Sequence, residues 1–198
     1  MYSFDENALV SELRTLPSRA RIAFAAAAAT RQLGSYERFA RGLGAEGAQR
    51  PREIAVQLWT DLHAAAVDRV AWSSRLEEVM GLLPEESDDW VIGHALADDA
   101  LSSLTYAIRC LLTAEPQESA WAARRAYEAA DQAAIRVLGV QPGLPNTEVA
   151  IKSHGFVQRE LARQRNDLSL LRADSVDEVQ RQAFEGELLT EQEAASVV

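Results

Sequence analysis

The stretch SDDWVIGHALADDALSSLTYAIRCLL, Ser87 to Leu112, sets two adjacent carboxylates, Asp98 and Asp99, and one imidazole, His94, into a long apolar run. Such residues serve acid–base chemistry or metal ligation, and spacing decides between them. On a helix, successive side chains turn by about 100°. Ile92, Leu96, Ala100, Leu104, Ala107 and Leu111 then share an apolar face. Asp98 falls on the opposite, polar side with His94, Ser102 and Arg109, and Asp99 falls at the apolar edge near Leu96, Ser103 and Tyr106. The two carboxylates do not converge, as a mechanism with two carboxylates flanking one bond requires. His94 and Asp98 do share a face and could begin a metal site. Di-metal bundles, however, use Glu-x-x-His on two helices, and helical metalloproteases use His-Glu-x-x-His. Neither string occurs. The expectation is a solvent-facing His–Asp pair of small energy, with no metal site.

Asp99 raises a different question, because a half-buried carboxylate needs a partner or becomes neutral. Arg31, at the end of an alanine-rich segment, is the expected partner in an interhelical ion pair. The alternative leaves Asp99 with water or Ser103.

The remaining chemistry-bearing residues form no constellation. His63 lies beside Asp61, and His154 lies on a half-apolar stripe; lone histidines of this kind are usually packed and hydrogen-bonded. Gly42, Gly44 and Gly47 spell Gly-x-Gly-x-x-Gly. The dinucleotide-binding version follows a strand, whereas here YERFARGL reads as a helix, so the glycines are a helix stop and a loop. No Gly-x-Ser-x-Gly and no Walker-type loop occurs. Cys110, the single cysteine, stands among Ile108, Leu111 and Leu112 and reads as a buried, inert thiol. No cofactor is expected. Trp59, Trp72, Trp90 and Trp121 read mainly as core, with Trp90 and Trp121 near helix starts and suited to a partner surface.

The elements that must position these residues are helices, since strand alternation is nearly absent. Ser3 and Glu6 form a capping box for a helix to about Leu16. A second helix runs from Ser18 to Leu33, stopping at Gly34, and a short one covers 35–43. Ile54, Leu58, Leu62 and Ala66 mark a helix carrying Trp59. Ser74 and Glu77 cap a short helix to about Leu83. Ser87 caps the next, with Asp88 and Asp89 at its positive end, and that helix runs to Thr113. Pro116 opens a helix through Leu138 that ends at Gly139. A last long helix covers 147–171 on the stripe Ala150, His154, Val157, Leu161, Gln164, Leu168 and Leu171. Ser175 and Glu178 cap a short helix after it. The reading is all-α: one irregular helical bundle of about seven to nine helices over residues 1–186, with 187–198 a loosely held C-terminal tail.

Bulk composition narrows the function. The 198 residues are 47% hydrophobic and 25% charged, the balance of a globular domain. The net charge is −10, and the basic residues are scattered arginines with Lys152 the only lysine. Nucleic-acid binding and attachment to anionic membranes both need a basic surface, so neither is expected. No apolar run is long enough to span a bilayer, and MYSFDENALV lacks the basic-then-apolar order of a signal peptide. The expected location is cytoplasmic.

The collinear order of certain residues resembles the YjaG-like family of bacterial proteins, the domain of unknown function 416. The likeness rests on Phe24, Arg31, Tyr36 and Phe39; on Ile54, Leu58, Trp59 and Leu62; on Leu76, Glu77, Pro84 and Asp88; on Gly93, Asp99 and Ala100; and on Gln158, Glu160 and Leu161. It spans about Leu16 to Leu171 and implies an all-helical fold with no established activity. It matches Arg31 and Asp99 to family positions. At His94 and Asp98 the family pattern is apolar, which speaks against a metal role. The expected function is a non-enzymatic protein-interaction or oligomeric module, binding a protein partner or itself. The alternatives are a small-ligand-binding protein or enzyme with an interhelical pocket near Arg31 and Asp99, whose expected polar lining is Arg31, Asp99, Glu77 and Glu160, and a metal-binding bundle.

Overall fold

The computed structural model describes residues 1–85 and 91–197. Among them are eleven helices and no strand: α1 (Glu6–Arg14), α2 (Ser18–Thr30), α3 (Leu33–Gly42), α4 (Arg50–Ala64), α5 (Arg69–Met80), α6 (Ile92–Thr113), α7 (Pro116–Leu138), α8 (Pro145–Ser153), α9 (Gly155–Arg172), α10 (Val176–Glu185) and α11 (Glu191–Val197). The all-α reading holds, with more and shorter helices than the seven to nine expected.

α2 is the hub. Its residues from Ile22 to Thr30 are all buried, and it packs against α4, α6, α7, α9 and α10. Alanine is the strongest helix former, and its short side chain lets neighbouring helices come close on several sides at once. Phe24 is the one aromatic side chain in the run, and it is fully buried. The longest pair, α6 and α7, packs side by side against α2. Trp59 is also fully buried; its Nε1 donates to Thr30 Oγ1 at 3.1 Å, which in turn donates to Ala26 O at 2.7 Å. The indole N–H and the threonine hydroxyl are thereby both satisfied inside the core.

Several boundaries differ from the sequence reading, each for a local reason. Asp5, not Ser3, caps α1, its Oδ1 accepting from Ala8 N at 3.0 Å. Asp68 caps α5 by accepting from Val70 N and Ala71 N, so Ser74 and Glu77 lie inside a helix that begins earlier and buries Trp72. Gly34 does not stop α2; the chain turns at Arg31 and Gln32, and Gly34 is inside α3. The expected helix over 147–171 is two helices. His154 is extended (φ −61°, ψ 146°) and its Nδ1 accepts from Phe156 N at 3.3 Å, so it starts α9 rather than continuing α8. Gly44 and Gly47 hold positive φ of 66° and 79° in the loop after α3, as turn glycines do. The expected cap by Ser87, with Asp88 and Asp89, falls outside the described residues.

The largest revision concerns 187–197, the described part of the 187–198 expected to be loosely held. Leu188, Leu189, Ala194 and Val197 are buried, and α11 docks on α7. Thr190 and Glu193 close a capping box, Thr190 N donating to Glu193 Oε2 at 2.9 Å and Glu193 N to Thr190 Oγ1 at 3.3 Å. Two leucines and a sequence-encoded cap keep this segment on the body.

Candidate functional site

Arg31 emerges at the C-terminal end of α2, where the helix dipole favours a cation. It is 2% exposed. Across from it, α9 presents Glu160, Gln164 and Asp167, which share one helix face. Arg31 Nε and NH2 donate to the two Glu160 carboxylate oxygens at 3.2 and 3.0 Å, and NH1 donates to Asp167 Oδ2 at 2.8 Å. Gln164 Nε2 donates to Glu160 Oε1 and to Ala123 O, both at 3.0 Å, which ties the cluster to α7. The fork onto Glu160 is the bidentate geometry in which arginine–carboxylate pairs are strongest. Burial alone would lower the Arg31 pKa; the charges of Asp167 and Glu160 reverse that and raise it. One guanidinium has a single charge to offer two carboxylates, and burial pushes Asp167 above the usual aspartate range against the pull of Arg31. Arg163, beside the cluster, is pushed down by burial, with Arg31 and Arg159 repelling its charge.

Asp99, 1% exposed on α6, belongs to a separate pair. Its Oδ1 accepts from Arg125 NH1 at 3.1 Å and its Oδ2 from Gln132 Nε2 at 2.9 Å, both on α7. Burial pushes its carboxyl up to about 7, with Arg125 pulling the other way. The expected Arg31–Asp99 ion pair is therefore not made. The apolar edge that carries Asp99 is turned towards α7, whose Arg125 and Gln132 reach it, while Arg31 is taken by α9. Ser103 serves neither, donating to Ala122 O at 2.9 Å. Of the four expected lining residues, only Arg31 and Glu160 meet; Glu77 is exposed on α5. Asp167, Arg125 and Gln132 have no place in the sequence reading, and Gln164 enters it only as a position on the last long helix's stripe. The seven-residue spacing of Glu160 and Asp167 signals a shared face on α9, but counting Gln164 into the half-apolar stripe hides it; nothing local signals Arg125 or Gln132.

The histidines are tied into local structure. His94 Nδ1 accepts from Val91 N at 3.3 Å, and its ring meets Phe39 edge-on at 4.8 Å. Burial raises the Asp98 carboxyl, with Arg125 opposing. His63 contacts Gln180 Oε1 at 2.6 Å and Arg19 at 3.3 Å. Among the described residues, no group of three or more His, Cys, Asp or Glu side chains is placed to hold a metal ion. Cys110 is buried, its Sγ 3.0 Å from Ser119 Oγ, and burial pushes its thiol up to about 11. That removes thiolate reactivity near neutral pH. An open cavity of about 300 Å³ lies between α1 and α9, lined by Phe4, Asp5, Glu12, Gln164, Arg165 and Arg172 among others, but not by Arg31 or Asp99. No helix among the described residues is long and apolar enough to cross a membrane.

The α6–α7 surface carries a preorganised aromatic group. Trp121, half-buried on α7, lies 5.4 Å from Tyr106 of α6. The Arg109 guanidinium stands over both rings, 5.6 Å from Tyr106 and 5.9 Å from Trp121, and its NH2 donates to Glu118 Oε1 at 2.7 Å. Burial raises the Glu118 carboxyl, with Arg109 holding it back. Trp90, the other tryptophan suited to a partner surface, lies outside the described residues.

Residues 8–189 match the family model described as "Protein of unknown function (DUF416)". The fold is similar to the crystal structure of a DUF416 family protein from Shewanella baltica OS155, with a TM-score of 0.76 and 15% sequence identity over 93% of this chain and 95% of that one. At that identity the likeness speaks for the fold alone. No curated protein matches the chain.

Proposed function

The chain belongs to the DUF416 family of proteins of unknown function, and from that premise we propose that it is a non-enzymatic, cytoplasmic helical module that acts by binding a protein partner or a second copy of itself. The observation that carries the reading is the Trp121–Tyr106–Arg109 group on the α6–α7 surface. Trp, Tyr and Arg are the residue types enriched where interfaces concentrate their binding energy. Here they are held in place beforehand: Glu118 anchors the guanidinium and the guanidinium covers the rings. Preorganisation of this kind lowers the ordering cost of association. The net charge of −10 suits a basic partner.

The interior supports the same choice. Arg31, Glu160 and Asp167 are directed at one another, and Asp99 is directed at Arg125 and Gln132. These groups read as scaffold. A ligand pocket near Arg31 and Asp99 therefore has less support. The test is affinity capture on the full chain, wild type against Trp121→Ala, at matched folded concentration. Loss of a specific captured partner or of self-association in the variant is the expected result. Identical capture by both proteins would remove the Trp121 face from the proposal.

A further inference from the structure

The segment after α10 lies across α3, α7 and α9, and four arginines from those helices donate to its backbone carbonyls. Arg163 NH1 reaches Glu187 O at 2.9 Å, Arg159 NH2 reaches Leu188 O at 2.7 Å, Arg38 NH2 reaches Leu189 O at 3.3 Å, and Arg136 Nε reaches Val197 O at 3.1 Å. Contacts to carbonyls follow the path of a chain without reading its sequence. Two further sets of contacts do read sequence. Arg159 takes Glu193 bidentately at 2.7 and 2.8 Å, and Arg38 NH1 reaches Glu187 and Glu191 at 3.3 and 3.4 Å. Leu188 and Leu189 are buried in the same apolar cluster as Ala130, Ala133 and Leu161. α3 is bare where the segment passes: a Cβ on Gly34 would stand 3.1 Å from the Glu187 carboxyl.

A groove with guanidinium groups on its rim and an apolar floor has the chemistry by which proteins recognise acidic peptide segments. We propose that this groove binds, in trans, an acidic leucine-bearing segment of a partner protein, and that the chain's own residues 187–197 are its tethered competitor. The family match ends at residue 189, so it covers the groove's arginines together with Leu188 and Leu189, whereas α11 lies beyond it. Tethering gives the resident segment an effective concentration of about millimolar, so a free peptide competes poorly until the resident one is loosened. This surface is distinct from the Trp121 face, and the experiment reads the groove alone.

The probe is a fluorescent peptide with the sequence of residues 186–198, titrated into the full chain and followed by anisotropy. Glu193→Lys sets a cation against Arg159 and loosens the resident segment; Leu189→Ser does so through the floor. We expect the peptide to bind either variant about tenfold or more tightly than wild type, a scrambled peptide to bind neither, and Arg159→Ala added to Leu189→Ser to abolish binding. Equal binding to wild type and to both variants, equal binding of the scrambled peptide, or no binding to any of them would overturn the proposal. So would a wild-type dimer that exchanges this segment between copies, since the occupant would then be a second copy of the chain.

Discussion

Replacing Arg31 with methionine should destabilise the fold by about 3–5 kcal/mol, because it leaves two carboxylates, 0% and 1% exposed, without the cation they face. Three hydrogen bonds go with it, at 3.2, 3.0 and 2.8 Å. A domain's whole stability is about 5–15 kcal/mol, so the loss is a large share of it. In a chain of this length each kcal/mol moves the melting temperature by about 2–4 °C, which gives a fall of roughly 6–20 °C. The assay is urea and thermal unfolding at pH 7, followed by circular dichroism. The compensated variant Arg31→Met/Glu160→Gln/Asp167→Asn removes the stranded charges and should return to within about 2 kcal/mol of wild type. The single variant should also lose stability as pH rises, because its stranded carboxylates must ionise inside the core. A penalty below about 1 kcal/mol for Arg31→Met, or a triple variant as weak as the single one, would refute the argument that this cluster is a matched set.

The other perturbations follow the same physics. Asp99 has its carboxyl raised to about 7 from an ordinary value of 3.8, so its contribution to stability is full below that ordinary value and is lost as pH climbs towards 7. Asp99→Asn should therefore gain on wild type by on the order of 2 kcal/mol at pH 8 and lose that advantage near pH 4, as read from urea midpoints at the two pH values. Glu193 is held down to about 2, chiefly by its hydrogen bonds from Arg159, so its contribution is present above 4.5 and is lost as pH falls towards 2. With the Glu193 side chain 25% exposed, Glu193→Gln should cost roughly 1 kcal/mol at neutral pH, seen as faster amide exchange confined to α11. Cys110, fully buried, should resist a thiol reagent in the native protein and react completely in urea; rapid native labelling would contradict the burial.

The fold class was legible because helical signals dominate the chain, and α7 was legible end to end: Pro116 and Gly139 are unambiguous signals at its two ends. Tertiary partnership was not legible. Periodicity placed Asp99 on the edge of a buried face, and it is 1% exposed. Which helix that edge meets depends on packing angles that no local pattern carries, so Arg31 was paired with the wrong carboxylate. Glu160 was singled out for its place in the family pattern; Asp167, one buried turn pair further on the same face, carried no such mark. His154 shows the limit of stripe counting: its spacing fits a continuous helix, but its ring accepts a backbone N–H and starts a new one. The segment after residue 186 is expected from sequence to be loosely held. Leu188, Leu189 and the Thr190–Glu193 cap hold it locally; arginines from three other helices complete the hold, and that long-range set leaves no local trace.

The central claim is that this protein works through its surface and keeps its buried charges for its own scaffold. Native mass spectrometry of the full chain purified from its own cells at gentle activation, wild type beside Trp121→Ala, tests it most directly. The account predicts a whole multiple of the chain mass, or the chain with a bound protein, in the wild type, and the bare monomer in the variant. A wild-type monomer carrying a metal ion or a metabolite-sized adduct, unchanged by the tryptophan substitution, would contradict it.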